Sequence, residues 1–175
     1  MFNMDKEFNK PFDHKDGDQI LSRRQARRFA LQVLFCNEFL REDIREVAHR
    51  IADTLSHEID DFSEEIIDKT HRKRHHLDGI IISGLVDRNI DRVPLLEKVL
   101  IRMALCELLQ FPDIPIEVTL NEAVDLSKEF TSIKSSRFVN GILDTLVKML
   151  EKDNKLNKSL IARLPSPKIK PHKIG

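Results

Sequence analysis

Residues 44–55, IREVAHRIADTL, carry the clearest structural signal in the sequence. The apolar side chains of this stretch recur at intervals of three or four residues: Ile44, Val47, Ala48, Ile51, Ala52 and Leu55. On an α-helix these positions form one stripe, and polar side chains occupy the opposite face. The stretch therefore predicts an amphipathic helix that buries one side against a core.

Capping signals predict where two neighbouring helices begin. Ser22 is followed three residues later by Gln25, and Asp61 by Glu64, which is the spacing of a capping box. The run from Ile80 to Ile82 also suits a buried strand, but no second strand is available to pair with it. We therefore expect six helices, with approximate bounds 22–40, 44–55, 61–85, 94–110, 119–130 and 135–150.

The composition agrees with an all-α fold. The 175 residues include only 5 Gly and 7 Pro, too few for the frequent turns of a β-sandwich or barrel. We expect a helical domain at 22–152 made of two three-helix bundles packed together, one at about 22–87 and one at about 94–152. Residues 1–21 lack a regular period and predict a flexible leader, and residues 153–175 predict a basic flexible tail.

Charge is unevenly distributed although the total is neutral, with 29 basic and 29 acidic side chains. Residues 42–68 carry a net charge of −8, and residues 151–175 carry +5. Four arginines stand within six residues, at positions 23, 24, 27 and 28. The basic regions are candidate footprints for a polyanion.

No motif indicates catalysis, a metal or a resident cofactor. Gly-rich phosphate loops, Gly-x-Ser-x-Gly elbows, CxxC pairs and HExxH helices do not occur. His71 and His75 have metal-ligand spacing, but three adjacent cations favour a solvated polar face instead. No apolar run reaches the roughly 18 residues of a membrane span. Cys36 and Cys106 suit small buried thiols of a reducing cytosol, so we expect a cytoplasmic protein. Because no catalytic motif occurs, we also expect that the protein is not an enzyme.

The arginine cluster suggests two interpretations. Arg23 lies one helical turn from Arg27, and Arg24 one turn from Arg28, so closely spaced guanidinium groups could hold several phosphates. A solvated first turn is the alternative. Because the helix dipole disfavours cations at a helix start, some further interaction is needed to retain them.

Six blocks of sequence occur in an order and spacing that match a known family: residues 26–35 (ARRFALQVLF), 91–92 (DR), 97–109 (EKVLIRMALCELL), 113–115 (DIP), 121–128 (NEAVDLSK) and 138–144 (FVNGILD). Over about residues 22–148 the chain resembles the NusB family of bacterial transcription antitermination factors. The resemblance implies two three-helix bundles and no catalysis. It also implies binding of boxA-type leader RNA of ribosomal RNA operons together with NusE, a ribosomal small-subunit protein, in the antitermination complex of RNA polymerase.

The resemblance also assigns candidate site residues. Those matching RNA contacts are Arg23, Arg24, Arg27, Lys134, Ser135, Arg137 and Phe138, and those matching the protein-partner surface are Phe35 and Glu97. An exposed Phe138 ring could stack on an unpaired base, but the same residue continues the inward stripe of its helix and could be core. The alternative function is a helical protein-interaction module with weak or nonspecific RNA binding.

Overall fold

The computed structural model describes residues 22–85 and 89–156, and these residues form seven α-helices and one 3₁₀ turn, with no strand among them. The helices are α1 (Arg23–Leu40), α2 (Ile44–Leu55), α3 (Asp61–Arg72), α4 (Arg74–Gly84), α5 (Leu95–Gln110), α6 (Ile116–Phe130) and α7 (Ile133–Lys152), and the 3₁₀ turn is Ile90–Arg92. The all-α prediction is confirmed. The predicted leader, and residues 157–175 of the predicted tail, lie outside the described residues.

Side-chain caps fix the helix starts in the first half of the chain. The Ser22 hydroxyl accepts from the Gln25 backbone N–H, and the Gln25 side chain accepts from the Ser22 N–H, so the predicted capping box is present. The second predicted box, Asp61 with Glu64, is wrong. The cap is Asp60 instead, because its carboxylate accepts from two N–H groups of the first turn of α3.

The single helix predicted over 61–85 is two helices that meet at Lys73. The backbone there has φ −94° and ψ 6°, outside the helical range, although the Lys73 N–H still bonds to the Lys69 carbonyl. This bend lets α3 pack on α1 and α5 while α4 packs on α5 and α7. The helix expected to close the first bundle therefore packs partly on the helices of the second.

Two helices of the second half start earlier than predicted. α6 begins at Ile116, three residues before Thr119, because the Thr119 hydroxyl donates to the buried Glu107 carboxylate and does not cap a helix. α7 begins at Ile133, with the Ser132 hydroxyl as its N-cap. The loop bounded by prolines and the serines near residue 135 correctly predict that two helices follow. They do not predict the residues at which these helices begin.

α5 is the central helix, and it contacts α1, α3, α4, α6 and α7. Every residue from Val99 to Leu108 is buried, as expected for a helix that is apolar on all sides. The two charged residues in this stretch, Arg102 and Glu107, are paired. The buried Arg102 donates to Asp78 on α4 at 2.8 Å and also to the exposed Glu38 on α1, which joins three helices.

Gly84 allows α4 to pack closely on α7. A Cβ atom at Gly84 would lie 2.6 Å from the Cδ2 atom of the fully buried Leu146. We expect Gly84→Ala to lower the free energy of unfolding by about 1–2 kcal/mol, since overpacking outweighs the better helix propensity of Ala. Gly79→Ala is the matched control, because nothing lies within 4 Å of its Cβ position, and it should stabilise by up to about 1 kcal/mol. Urea unfolding measures both, and equal effects would contradict the close packing.

Candidate nucleic-acid interface

Arg27, one of the predicted RNA contacts, points into the protein. It is 4% exposed, and its Nε and Nη2 atoms donate to the two carboxylate oxygens of Glu107 at 2.7 and 3.0 Å. The Thr119 hydroxyl donates to the same carboxylate at 2.6 Å. These bonds join α1 to α5 and α6. The structure therefore makes the Arg27 guanidinium group a buried part of the fold, and a phosphate contact at Arg27 stays a prediction from the sequence.

The neighbouring arginines pair with acids of α6. Arg24 is 57% exposed, and its guanidinium group lies 3.3 Å from a carboxylate oxygen of Glu122 and 2.5 Å from one of Asp125. Arg28 is 3.0 Å from Glu129. The helix dipole disfavours cations at the start of α1, and the ion pairs with the acids of α6 offset this cost.

The remaining arginine, Arg23, is exposed, and its guanidinium group lies 4.2 Å from the centroid of the Phe62 ring. The cationic and acidic side chains of this region nearly cancel, leaving a net charge of about +1 from Arg23, Arg24, Arg27, Arg28 and Lys128 against Glu107, Glu122, Asp125 and Glu129. Hydrogen bonds from Lys128 and Arg24 hold the pKa of Asp125 below its usual value, so this acid stays ionised at neutral pH. The arginine cluster is thus much less basic than its sequence indicates.

Sequence reasoning missed these acids, although a signal was present. Glu122, Asp125 and Glu129 recur at intervals of three and four residues and therefore lie on one face of α6. A helix with that stripe is a suitable neighbour for a helix with arginines at similar spacing.

A cleft of about 360 Å³ lies where the 3₁₀ turn, the start of α5 and the start of α7 meet. Its lining includes four of the predicted site residues, three from the RNA set and one from the partner set: Lys134, Ser135, Phe138 and Glu97. Lys134 is exposed, whereas Glu97 is only 5% exposed. The structure brings these residues together and gives the two predicted sets a shared location.

Phe138 combines both of its predicted environments. The residue is half-buried, packs partly against the hydrophobic core and also lines the cleft. Arg137, the preceding residue, is exposed and is not part of the cleft lining. A ring in this position is held by the core on one side and can be reached from the cleft on the other.

Two further polar residues of the cleft were not among the predicted contacts. Asn89 and Arg92 are exposed and line the cleft together with residues at the start of α7. The Asn89 side chain also caps the 3₁₀ turn by accepting from the Asp91 N–H at 3.0 Å. The Asp-Arg pair at 91–92 belongs to the resemblance, so the motif was visible but its position beside Phe138 was not.

The arginine cluster and the cleft are neighbours along α6 and α7. Arg28 pairs with Glu129 near the end of α6, and Lys134 follows Glu129 by five residues. Five residues span at most about 18 Å. A single bound strand could therefore reach from one region to the other.

Phe35, a predicted partner contact, is 8% exposed and belongs to the core. Its ring meets the ring of Phe39 edge-on, with a centroid distance of 5.2 Å. Phe39 is 64% exposed and the following Leu40 is 45% exposed. The apolar surface expected at Phe35 is therefore presented one turn further along α1, by Phe39.

Three further features of residues 22–85 and 89–156 concern metal ligands, membrane spans and thiols. No group of three or more His, Cys, Asp or Glu side chains in these ranges could hold a metal ion, and no helix there is long and apolar enough to cross a membrane. Cys36 and Cys106 are free thiols. Burial raises the pKa of Cys106 to about 11, so it is protonated and poorly nucleophilic at neutral pH.

The fold and the cleft define a class of protein, an all-α domain with a central buried helix and a cationic, aromatic-lined cleft at the starts of two helices. The particular family is given by sequence comparison. A family model described as the NusB family matches residues 24–148, and the chain belongs to that family. A relative named transcription antitermination protein NusB, from Chloroherpeton thalassium, is 34% identical over 143 residues, which cover 80% of this chain and 68% of the relative. A protein of the same name from Shewanella oneidensis is 38% identical over 127 residues, 71% of this chain and 94% of the relative.

Solved structures show the same likeness. T. maritima NusB superposes with a TM-score of 0.66 at 32% identity, covering 73% of this chain and 92% of that one. A chain from a crystal structure of antitermination factors NusB and NusE in complex with dsRNA superposes with a TM-score of 0.67 at 25% identity, covering 73% and 96%. These values place the described helices in the NusB helical fold.

Proposed function

We propose that this protein is an RNA-binding transcription antitermination factor that binds boxA-type leader RNA of ribosomal RNA operons together with NusE. The observation that carries the proposal is the cleft in which the Phe138 ring lies with Lys134 and Arg92. Family membership supports it, as does the solved complex of NusB and NusE with dsRNA. The protein acts in the cytoplasm as a non-catalytic member of the RNA polymerase antitermination complex.

The cleft suits a single-stranded RNA segment with one base turned out of the stack. Such recognition combines cations for the phosphates with an aromatic platform for the base. Lys134, Arg92 and the nearby Arg137 provide the cations, and Phe138 provides the ring. The Ser135 hydroxyl adds a donor at the rim. Arg23 and Arg24 extend this surface along α1, whereas Arg27 supports it from inside.

Equilibrium titration tests the proposal. A boxA-type single strand and a scrambled strand of equal length are titrated at fixed salt, with and without NusE, because phosphate contacts alone do not distinguish the two strands. We expect tighter binding of the boxA-type strand and a further gain with NusE. Equal binding of both strands would favour the alternative function, a helical protein-interaction module.

The exposed apolar end of α1 supports a protein partner beside the RNA. Large exposed aromatic side chains are typical anchors of protein interfaces. We expect Phe39→Glu to weaken NusE association about thirtyfold, corresponding to the roughly 2 kcal/mol of an interface anchor. Helical content should remain near that of the unmodified protein, since Phe39 is exposed.

Pull-down or calorimetric titration with NusE measures this effect, and circular dichroism checks the fold. Ile82→Glu serves as the control, because Ile82 is also an exposed apolar residue, 51% exposed, but lies on α4. Unchanged NusE affinity in Phe39→Glu would move the partner surface away from the end of α1.

A further inference from the structure

Arg24, one of the two exposed arginines of the α1 cluster, is already paired with carboxylates of the same chain. The Arg24 guanidinium group lies 2.5 Å from an oxygen of Asp125 and 3.3 Å from one of Glu122. Asp125 is held in place from the other side by Lys128, at 3.1 Å. Both carboxylates belong to α6, so the pairing joins two helices and is not a local contact within α1.

A phosphate and a carboxylate compete for the same N–H groups of arginine. An RNA phosphate that takes these N–H groups must displace Glu122 or Asp125, and a phosphate on the remaining N–H groups of Arg24 lies beside two negative charges. The pair is nevertheless open to exchange, because Arg24 is 57% exposed and Asp125 is 46% exposed, where water and salt weaken ion pairs.

The cations in the cleft, Lys134 and Arg92, and Arg137 beside it contrast with Arg24. Among residues 22–85 and 89–156, Lys134, Arg92 and Arg137 take part in no ion pair. A phosphate can bind them without displacing a carboxylate. The acids of α6 therefore weaken phosphate binding at Arg24, whereas the cleft cations make no ion pair within the described residues, although the 5% exposed Glu97 also lines the cleft.

We propose that Glu122 and Asp125 are internal competitors for RNA phosphate and that they set RNA specificity by suppressing binding through Arg24 alone. The inference rests on the proposed function, in which RNA passes along α1 and α6 to the cleft. Nonspecific RNA binding is almost entirely electrostatic, so its affinity falls more than that of specific binding when a cation is already neutralised. A strand whose base enters the cleft retains the Phe138 contact.

Asp125→Asn is the test variant, because it removes the charge and preserves the shape of the side chain. With a scrambled 12-nucleotide single strand, we expect about two- to fivefold tighter binding, the strength of one exposed ion pair. The salt dependence should steepen by about 0.7 in the slope of log K against log salt, as for one added phosphate contact on a single strand. Weaker binding of the scrambled strand would overturn the proposal, since Asp125 would then orient Arg24 for RNA.

Asp153→Asn is the matched control. Asp153 is 44% exposed and pairs with Lys155 at 2.9 Å, so the change in net charge and in exposure is nearly the same as at Asp125. Identical effects of the two variants would overturn the proposal by showing that only net charge matters. Circular dichroism melts confirm that both variants are folded.

Failure of this inference can be distinguished from failure of the proposed function. If the unmodified protein binds boxA-type and scrambled strands equally, the proposed function fails, and this inference fails with it. If the unmodified protein discriminates while Asp125→Asn behaves like Asp153→Asn, the inference alone is wrong. A double change, Glu122→Gln with Asp125→Asn, should enlarge the gain for the scrambled strand if both carboxylates compete.

Discussion

Arg27→Ala is expected to lower the free energy of unfolding by about 3–5 kcal/mol, because it leaves the buried Glu107 carboxylate without its guanidinium partner. The two groups form a bidentate pair, and their side chains are 5% and 1% exposed. The Thr119 hydroxyl remains as a donor, but one neutral hydrogen bond does not replace a cation. Urea or thermal unfolding measures the loss.

Arg24→Ala is the control for that experiment. It removes an arginine from the same helix and also breaks ion pairs to acids, but the pairs are exposed, so the cost should be within about 1 kcal/mol. Replacing both buried partners, as Arg27→Met with Glu107→Leu, should recover much of the stability lost in Arg27→Ala. Near-normal stability of Arg27→Ala together with lost RNA affinity would show that Arg27 is an RNA contact after all.

Phe138→Ala is expected to weaken binding of boxA-type RNA by about 1–3 kcal/mol, or roughly 5- to 150-fold, because it removes the ring on which a base stacks. Some stability should be lost as well, since the residue is half-buried against the core. Phe138→Leu separates the two effects. It keeps much of the apolar volume and removes only the aromatic face, so stability should largely return while RNA affinity stays low.

The matched control for Phe138 is Phe39→Ala. It also truncates a phenylalanine, but this ring is 64% exposed at the far end of α1 and is not part of the cleft. RNA affinity in the absence of NusE should be unchanged. If Phe138→Ala loses stability but binds RNA normally after correction for the folded fraction, Phe138 does not belong to the site.

Apolar periodicity predicts the all-α fold well because each helix buries a stripe that is visible in the sequence. It predicts the bend at Lys73 poorly, since the stripe continues through residues 61–85 and the change of direction depends on packing against α5 and α7. Capping motifs are reliable only where the side chain is free to cap. Thr119 has the expected spacing before Glu122, but its hydroxyl bonds to Glu107, a residue distant in sequence.

The candidate site could be predicted only in part. The start of α7 carries a local signal, and the structure places Lys134, Ser135 and Phe138 in one cleft. The arginines at the start of α1 also carry a signal, but their accessibility depends on acids about a hundred residues away. Spacing along one helix does not reveal whether a charged side chain is paired with another helix. For this reason two arginines of the same helix, Arg24 and Arg27, have different environments that the sequence does not reveal.

The most direct test of RNA binding at the cleft is photo-crosslinking of a boxA-type strand that contains 4-thiouridine, followed by mapping of the attached peptides. Contact at Phe138 predicts crosslinks in the peptides that contain residues 89–94 and 133–138, and their loss in Phe138→Ala. Crosslinks confined to the acidic segment 42–68, or unchanged crosslinks in Phe138→Ala, would contradict it.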